Sequence, residues 1–304
     1  MRKDLLRVLD LSSRAVLALI DSGIAWKRRG AGRKAPRPLA GRTLAMIFQK
    51  ASTRTRVSFE VGMARLGGHA LFLSPADTQI GRGEPVRDTA RVLSRYVDAI
   101  LIRTFAHAIA EEMAASSSVP VINGLTDGHH PCQVLADLMT ARERGIDLRR
   151  MTVAFVGDGN NVANSWVEAA QLLGFALRVA CPRGFEPDPS VMREAARAGK
   201  GDVRIVRDPA EAARGADVLY TDVWTSMGQE KERRRRLAAF RGYRIDATLL
   251  RAARKDAIVM HCLPAHRGEE ITDEVMEGPR SAVFDEAENR LYAQMAVLEK
   301  LIPH

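Results

Sequence analysis

The sequence predicts an α/β fold of two doubly wound parallel-sheet domains, with the active site in the cleft between them. Three observations carry that prediction. Short apolar runs alternate with helical stretches along most of the 304 residues. The runs are apolar throughout, as in parallel strands covered by helices on both faces. Polar residues with useful chemistry gather just past the ends of these runs, where ligands bind in open parallel sheets. The alternation restarts after Gly145 and the basic pair Arg149-Arg150. One domain is therefore expected over residues 1–148, a second over 149–285, and a last helix over 286–304.

A helical pattern covers 5–22, and a basic linker covers 27–38. Strands are expected over 43–48, 69–73, 99–103 and 119–123, with helices over 52–66, 86–96 and 105–115. Ser52 suits an N-cap, and Gly67-Gly68 suits a helix stop. Pro131 opens a helix that runs to Arg144, in the first-turn position that proline tolerates. In the second half, strands are expected over 152–156, 177–180, 203–206, 218–222, 257–260 and 282–284. Helices are expected over 163–173, 190–198, 246–253 and 286–301. No internal repeat or low-complexity segment interrupts this order.

Hydrophobic residues make up 46% of the chain and charged residues 27%, an ordinary globular balance. No apolar run approaches the ~20 residues that cross a bilayer. The start, Met1-Arg2-Lys3-Asp4-Leu5-Leu6, lacks a signal-peptide core, so a cytoplasmic protein with no membrane partner is expected. The three cysteines, Cys132, Cys181 and Cys262, are too few and too scattered for a disulfide framework or a cysteine zinc site. A net charge of +9 fits nucleic acid, an anionic small substrate, or solubility alone. The densest basic run, Lys231 to Arg236, has no interleaved aromatic residues, and only 5% of the chain is aromatic. Base stacking on nucleic acid is not expected, and the run reads as a solvated helix face.

The stretch Ser52-Thr53-Arg54-Thr55-Arg56 lies where a strand ends and a helix opens. Free backbone N–H groups, hydroxyls and guanidinium groups converge at such a junction and cradle an anion. Arginine is otherwise unfavourable there, because the helix start is already positive. The plainer alternative is a capped helix with an exposed basic first turn. Arg103 ends an apolar run and is either a further cation for a phosphate dianion or a strand-end surface residue. His130 stands before a helix and can donate to a carbonyl oxygen, while Gln133 can hold an amide; a capping histidine is the plainer reading. No further ligand stands at zinc spacing from His130 and Cys132. Gly157-Asp158-Gly159-Asn160-Asn161 follows a strand, but Val162 replaces the third glycine of a dinucleotide turn. His261-Cys262-Leu263-Pro264 puts a thiol at a strand end. Asp222, an acid that can lie near that thiol, can assist proton removal from an amine.

Ser-Thr-Arg-Thr-Arg at 52–56, His-Pro-Cys-Gln at 130–133 and His-Cys-Leu-Pro at 261–264 occur in the order found in the aspartate/ornithine carbamoyltransferases, which the chain resembles from Leu5 to its last helix. The segment Asp222-Val223-Trp224-Thr225-Ser226-Met227-Gly228 resembles the ornithine branch of that family. The resemblance implies transfer of a carbamoyl group from carbamoyl phosphate to L-ornithine, without metal or organic cofactor. It implies that Ser52, Thr53, Arg54 and Thr55 hold the phosphate, and that Arg103 bridges phosphate and carbamoyl oxygen. His130 and Gln133 would meet the carbamoyl group. Gln79 would reach carbamoyl phosphate from a neighbouring subunit of a homotrimer or a higher multiple. Arg290 would return from the last helix, packed back on the first domain. Asn161, Asp222, Ser226 and Met227 would meet the ornithine backbone, with Cys262 and Leu263 beside the reacting amine. Arg103, His130, Cys262 and Asp222 form the implied catalytic set. A carbamoyltransferase for aspartate, putrescine or acylated ornithine, and a non-enzymatic basic binding protein, are the alternatives; the Ser-Met-Gly and His-Cys-Leu-Pro segments speak against another acceptor.

Overall fold

The computed structural model of the chain describes residues 3–30, 36–74, 76, 78 and 83–303. Its contacts separate two compact units, Met1–Met139 with Glu288–His304, and Thr140–Ala287.

In the first unit, β1 (Thr43–Phe48), β2 (His69–Leu73), β3 (Ala99–Arg103) and β4 (Val121–Leu125) pair in parallel in the order β2-β1-β3-β4. The chain steps from β1 to β2 on one side, then returns to place β3 on the other. The winding therefore reverses between β1 and β3. Apolar runs make the central strands, because both faces are covered: β3 is buried at every residue. The edge strand β2 is half-exposed along its length. Helices α1 (Ser13–Arg29), α2 (Thr53–Arg65), α3 (Val86–Leu93), α4 (His107–Ser116) and α5 (Pro131–Glu143) accompany the sheet.

The second unit repeats the plan with β5 (Thr152–Val156), β6 (Ala176–Ala180), β7 (Asp202–Val206), β8 (Val218–Thr221) and β9 (Ile258–His261). All are parallel, in the order β7-β6-β5-β8-β9, and the winding reverses between β5 and β8. Its helices are α6 (Asn161–Leu173), α7 (Pro189–Ala198), α8 (Pro209–Ala213), α9 (Arg233–Ala239), α10 (Ala247–Ala252), α11 (Asp273–Met276) and the start of α12 (Val283–Leu301). One face of the sheet packs Val156, Leu219 and Val259 against Leu249, Ile271 and Val275. Trp166 of α6 meets Tyr220 edge-on at 5.3 Å between ring centres.

Several elements depart from the sequence reading. Leu5 does not start a helix. Its N–H donates to the Val121 carbonyl, and its own carbonyl accepts from Asn123, so it lies alongside β4. The helix begins instead at Ser13, where the Ser12 hydroxyl accepts from Ala15 N–H, and it continues to Arg29. The strand expected over 282–284 is the opening of α12. A short apolar run reads equally as either element, and only the Ser281 bridge to Val259 is strand-like. The short helices α8, α9 and α11 carry too few turns for a periodic signal.

Gly159 has a packing reason. A Cβ there would stand 2.2 Å from the Glu186 carbonyl carbon and the Pro187 nitrogen, so only glycine admits that backbone.

The basic run is not wholly solvated. Arg236 is buried, 7% exposed. Its Nη1 donates to Asp158 at 2.8 Å and to the Trp224 carbonyl at 3.0 Å, and its Nε donates to Glu232. Burial pushes the Asp158 carboxyl up to about 6, against the pull of the Arg236 guanidinium. Removing one partner of such a pair strands the other in a dry interior. Arg236→Leu is expected to lower the unfolding free energy by about 3 kcal/mol, measured by urea unfolding. Asp158→Asn in the same chain should return part of that loss. Equal stability of R236L and wild type would show that the pair anchors nothing.

Candidate functional site

The loops at the first switch point are tied together by backbone and side chain. Gln49 N–H donates to the Arg103 carbonyl at 2.8 Å, and Arg103 Nε donates back to the Lys50 carbonyl at 3.2 Å. The Thr104 hydroxyl donates to the Gln49 side chain. Buried Lys50 pairs with Asp127 and lies 4.4 Å over the Phe105 ring, which joins this loop to the one that carries His130.

Ser52 caps α2 as its sequence implies, accepting from Thr55 N–H at 3.2 Å. Its hydroxyl also reaches Thr55 Oγ1 at 3.1 Å. Thr55 is fully buried and accepts from Arg290 Nη2 at 2.7 Å, so the last helix closes one side of the cradle. Arg54 is half-buried and Thr53 exposed in the first turn. Arg56 is placed elsewhere. Its Nε donates to Glu60 at 3.0 Å, one turn on, and its guanidinium lies 3.7 Å over the Phe72 ring. Of the four arginines expected near an anion, Arg54, Arg103 and Arg290 lie at this edge and Arg56 does not.

His130 sits in the loop between β4 and α5, which is held from beneath. Buried Asn123 donates to the carbonyls of Leu6 and His129, at 2.8 and 3.3 Å. The Thr126 hydroxyl meets His107 Nδ1 at 3.0 Å and accepts from His129 N–H. Burial, then the guanidinium groups of Arg290 and Arg103, hold the His130 ring well below the usual imidazole range. The ring is therefore unprotonated at neutral pH, a donor or acceptor but not a cation. The same positive potential attracts an anion. One turn along α5, buried Gln133 donates through Nε2 to Asp137 at 2.8 Å. Gln79 lies outside the described residues.

The second switch point gathers around Asp222, just past β8. Its Oδ2 accepts from Asn160 Nδ2 at 2.6 Å. Its Oδ1 accepts from the Cys262 thiol at 2.9 Å and from Val223 N–H at 2.8 Å. Asn160 also caps α6, accepting from Val162 and Ala163 N–H groups, and Asn161 is the first helical residue beside it. Asn164 is committed to Asp188 N–H. The Ser226 N–H donates to Gln229, while Met227 is 52% exposed. Leu263 adopts a left-handed backbone, φ 58°. Its N–H donates to His261 Nδ1 at 2.9 Å, so His261 Nε2 carries the proton and donates to fully buried Glu270 at 3.0 Å. That chain of bonds sets the turn on which Cys262 and Leu263 stand. Sequence reasoning did not select Asn160, Glu270 or Asp137; Asn160 lies next to the selected Asn161, whereas the acids lie in helical or loop stretches without a pattern.

Among the described residues, Asp222, His261 and Cys262 lie close enough together to share a metal, as do His266, Glu269 and Glu270. In the first group both ring nitrogens of His261 are already engaged by Leu263 and Glu270. In the second, Glu269 pairs with Arg233, and Glu270 accepts His266 N–H at 2.5 Å. Both groups are explained by hydrogen bonds within the protein. No helix of the described residues is long and apolar enough to cross a membrane.

A family model described as the carbamoyl-phosphate-binding domain of aspartate/ornithine carbamoyltransferase matches residues 3–143, and one for the Asp/Orn-binding domain matches residues 149–301. The chain belongs to this family. An ornithine carbamoyltransferase of Methanoculleus marisnigri is 57% identical over 302 residues, 99% of this chain and 97% of that one. An anabolic ornithine carbamoyltransferase of Pseudomonas aeruginosa is 54% identical over 300 residues, 98% of this chain and 97% of that one. The solved ornithine carbamoyltransferase of Pyrococcus furiosus superposes with a TM-score of 0.93 at 50% identity, covering 98% of this chain and 96% of that one.

The state of His130 has a consequence for stability. The folded ring stays unprotonated, whereas the unfolded ring takes up a proton below about pH 6.5. Stability from this group is complete above about pH 6.5 and falls as pH drops, by at most about 1.4 kcal/mol per pH unit. Asp158, with its carboxyl raised, acts in the opposite sense between about pH 4 and about pH 6. The comparison is therefore wild type against His130→Gln. Their difference in unfolding free energy should move in favour of H130Q as the pH falls from 7 to 5. A constant difference would mean that the ring is not held unprotonated.

Proposed function

We propose that the chain transfers the carbamoyl group of carbamoyl phosphate to the side-chain amine of L-ornithine, giving L-citrulline and phosphate in the biosynthetic direction. The observation that supports this best is the gathering of Ser52, Thr55, Arg103, His130 and Arg290 at one sheet edge, in a chain of this family. Ser52, Thr53, Arg54 and Thr55 hold the phosphate dianion through hydroxyls, N–H groups and charge. Arg103 spans phosphate and carbamoyl oxygen, Arg290 and Gln79 add to the grip, and Gln133 meets the carbamoyl nitrogen. Asn161, Asp222, Ser226 and Met227 bind the amino-acid end of ornithine. Cys262 and Leu263 stand beside the reacting amine.

The neutral amine nitrogen attacks the carbamoyl carbon. Negative charge then builds on the carbonyl oxygen and meets Arg103, His130 and Thr55 as preset donors. The bond from carbon to phosphate oxygen breaks, the electron pair leaves with the phosphate, and the proton lost by the amine goes to that dianion. His130 serves best unprotonated here, as a hydrogen-bond donor that does not compete with the arginines for the phosphate. No metal or organic cofactor takes part in this scheme. The chain acts in the cytoplasm as a homotrimer or a higher multiple, with Gln79 shared between subunits. Residues 1–148 bind carbamoyl phosphate and residues 149–285 bind ornithine.

The test is citrulline formation by the purified protein with a panel of acceptors: ornithine, aspartate, putrescine and acetylated ornithine. Ornithine should show the highest kcat/KM, and a higher value for another amine would replace the acceptor. Arg54→Ala should lower kcat/KM for carbamoyl phosphate about 100-fold with an unchanged circular dichroism spectrum. A near-normal value would remove Arg54 from the cradle. Light scattering should give a trimer or a multiple of it, and an active monomer would refute the shared site.

A further inference from the structure

Asn160 stands one residue before the asparagine expected to meet ornithine, and its side chain joins two loops. Its Oδ1 accepts from the N–H groups of Val162 and Ala163, at 3.0 and 3.2 Å, which caps α6. Those two bonds fix the orientation of the amide. An amide nitrogen does not accept from an N–H, so the oxygen faces the helix and the nitrogen faces away from it. Nδ2 then donates to Asp222 Oδ2 at 2.6 Å, 62 residues along the chain. The start of one helix therefore sets the donor that meets a buried acid just past β8.

Among the described residues, Asp222 Oδ1 takes two donors, Val223 N–H at 2.8 Å and the Cys262 thiol at 2.9 Å, whereas Oδ2 takes one, Asn160. A side-chain acid oxygen has two lone pairs. One accepting direction is left, and it is on Oδ2. We propose that Asn160 is a positioning residue for the amino-acid substrate: it holds Asp222 so that this direction receives an N–H from the amino-acid end of ornithine. The proposal rests on the reading that Asp222 meets ornithine.

Capping accounts for the oxygen of Asn160 but not for its nitrogen, because aspartate and serine cap helices about as well. Aspartate has the shape of asparagine and no N–H. Serine supplies the capping oxygen and no atom in the place of Nδ2. Asn160→Asp and Asn160→Ser therefore keep the cap and remove the bond to Asp222, whereas Asn160→Ala removes both. L-Norvaline, which is ornithine without its side-chain amine, probes the amino-acid end and cannot react.

The experiment titrates L-norvaline calorimetrically into the full chain saturated with carbamoyl phosphate, beside steady-state kinetics and urea unfolding. N160D and N160S should each raise the norvaline Kd and the KM for ornithine about tenfold. The KM for carbamoyl phosphate should stay within about twofold of wild type, and the urea midpoint should not move. N160A should lower that midpoint. A normal norvaline Kd in either N160D or N160S overturns the proposal. A midpoint lowered in both as far as in N160A marks Asn160 as merely structural. Asp222→Ala is the reference: it should weaken norvaline, and adding N160S to D222A should weaken it no further. A further loss in that double variant means that Asn160 grips the substrate by itself, and the positioning role fails. A normal Kd in D222A, or a wild type that binds no norvaline, removes the ornithine reading of Asp222 and the proposal with it. If D222A binds no norvaline at all, that reading stands and N160D and N160S decide alone, by the outcomes given for them.

Discussion

All strands of each sheet run the same way, and each sheet reverses its winding once, between β1 and β3 and between β5 and β8. Everything chemical in the molecule depends on that constraint. Parallel pairing puts every carboxyl end on one edge, and a reversal sends the two neighbouring loops to opposite faces of the sheet. At the first reversal the register places Phe48 beside Arg103. The cap of α2 and the end of β3 therefore lie side by side, although their residues are about fifty positions apart. At the second, Asn160 and Asp222 are brought into hydrogen-bond contact by the same geometry.

The two clusters differ in electrostatic character. The first collects guanidinium groups around an unprotonated imidazole, and the positive potential that suppresses His130 is the one that favours a dianion. The potential survives because the nearby acids are occupied or remote: Glu60 is turned to Arg56, and Asp127 to Lys50. The second is built around a carboxylate, Asp222, fed by an amide, a thiol and a backbone N–H.

Both clusters are stiffened by buried polar groups that bond to their loops. Asn123 and Thr126 brace the His130 loop. His261 and Glu270 hold the left-handed Leu263 turn. Arg236 and Asp158 tie the segment after Trp224 to the loop after β5. Hydrogen-bonded networks of this kind cost desolvation and return a single geometry.

Much of this was legible from residues alone, for a physical reason. Strands covered on both faces must be apolar throughout, so β1, β3 and β5 stand out with their boundaries intact. A serine hydroxyl accepts from the third N–H of its own helix, so Ser52 is readable as a cap. The order of the motifs was enough to place the family and the residues at the strand ends. What the linear order could not supply depends on partners far away in the chain. Arg236 reads as one more exposed arginine until Asp158, 78 residues earlier, is found against it. Arg56 reads like Arg54 until the turn of the helix delivers it to Glu60 and Phe72. Leu5 reads as helical until β4 offers its free edge. The sequence by itself determined most of the strands, the helix starts at Ser52 and Pro131 and the residue types of the two clusters, because local sterics and burial act on neighbouring residues. Only the tertiary structure decided which cations face the anion site, which acids orient an amide or a thiol, and which charges are buried, because those depend on contacts across the fold.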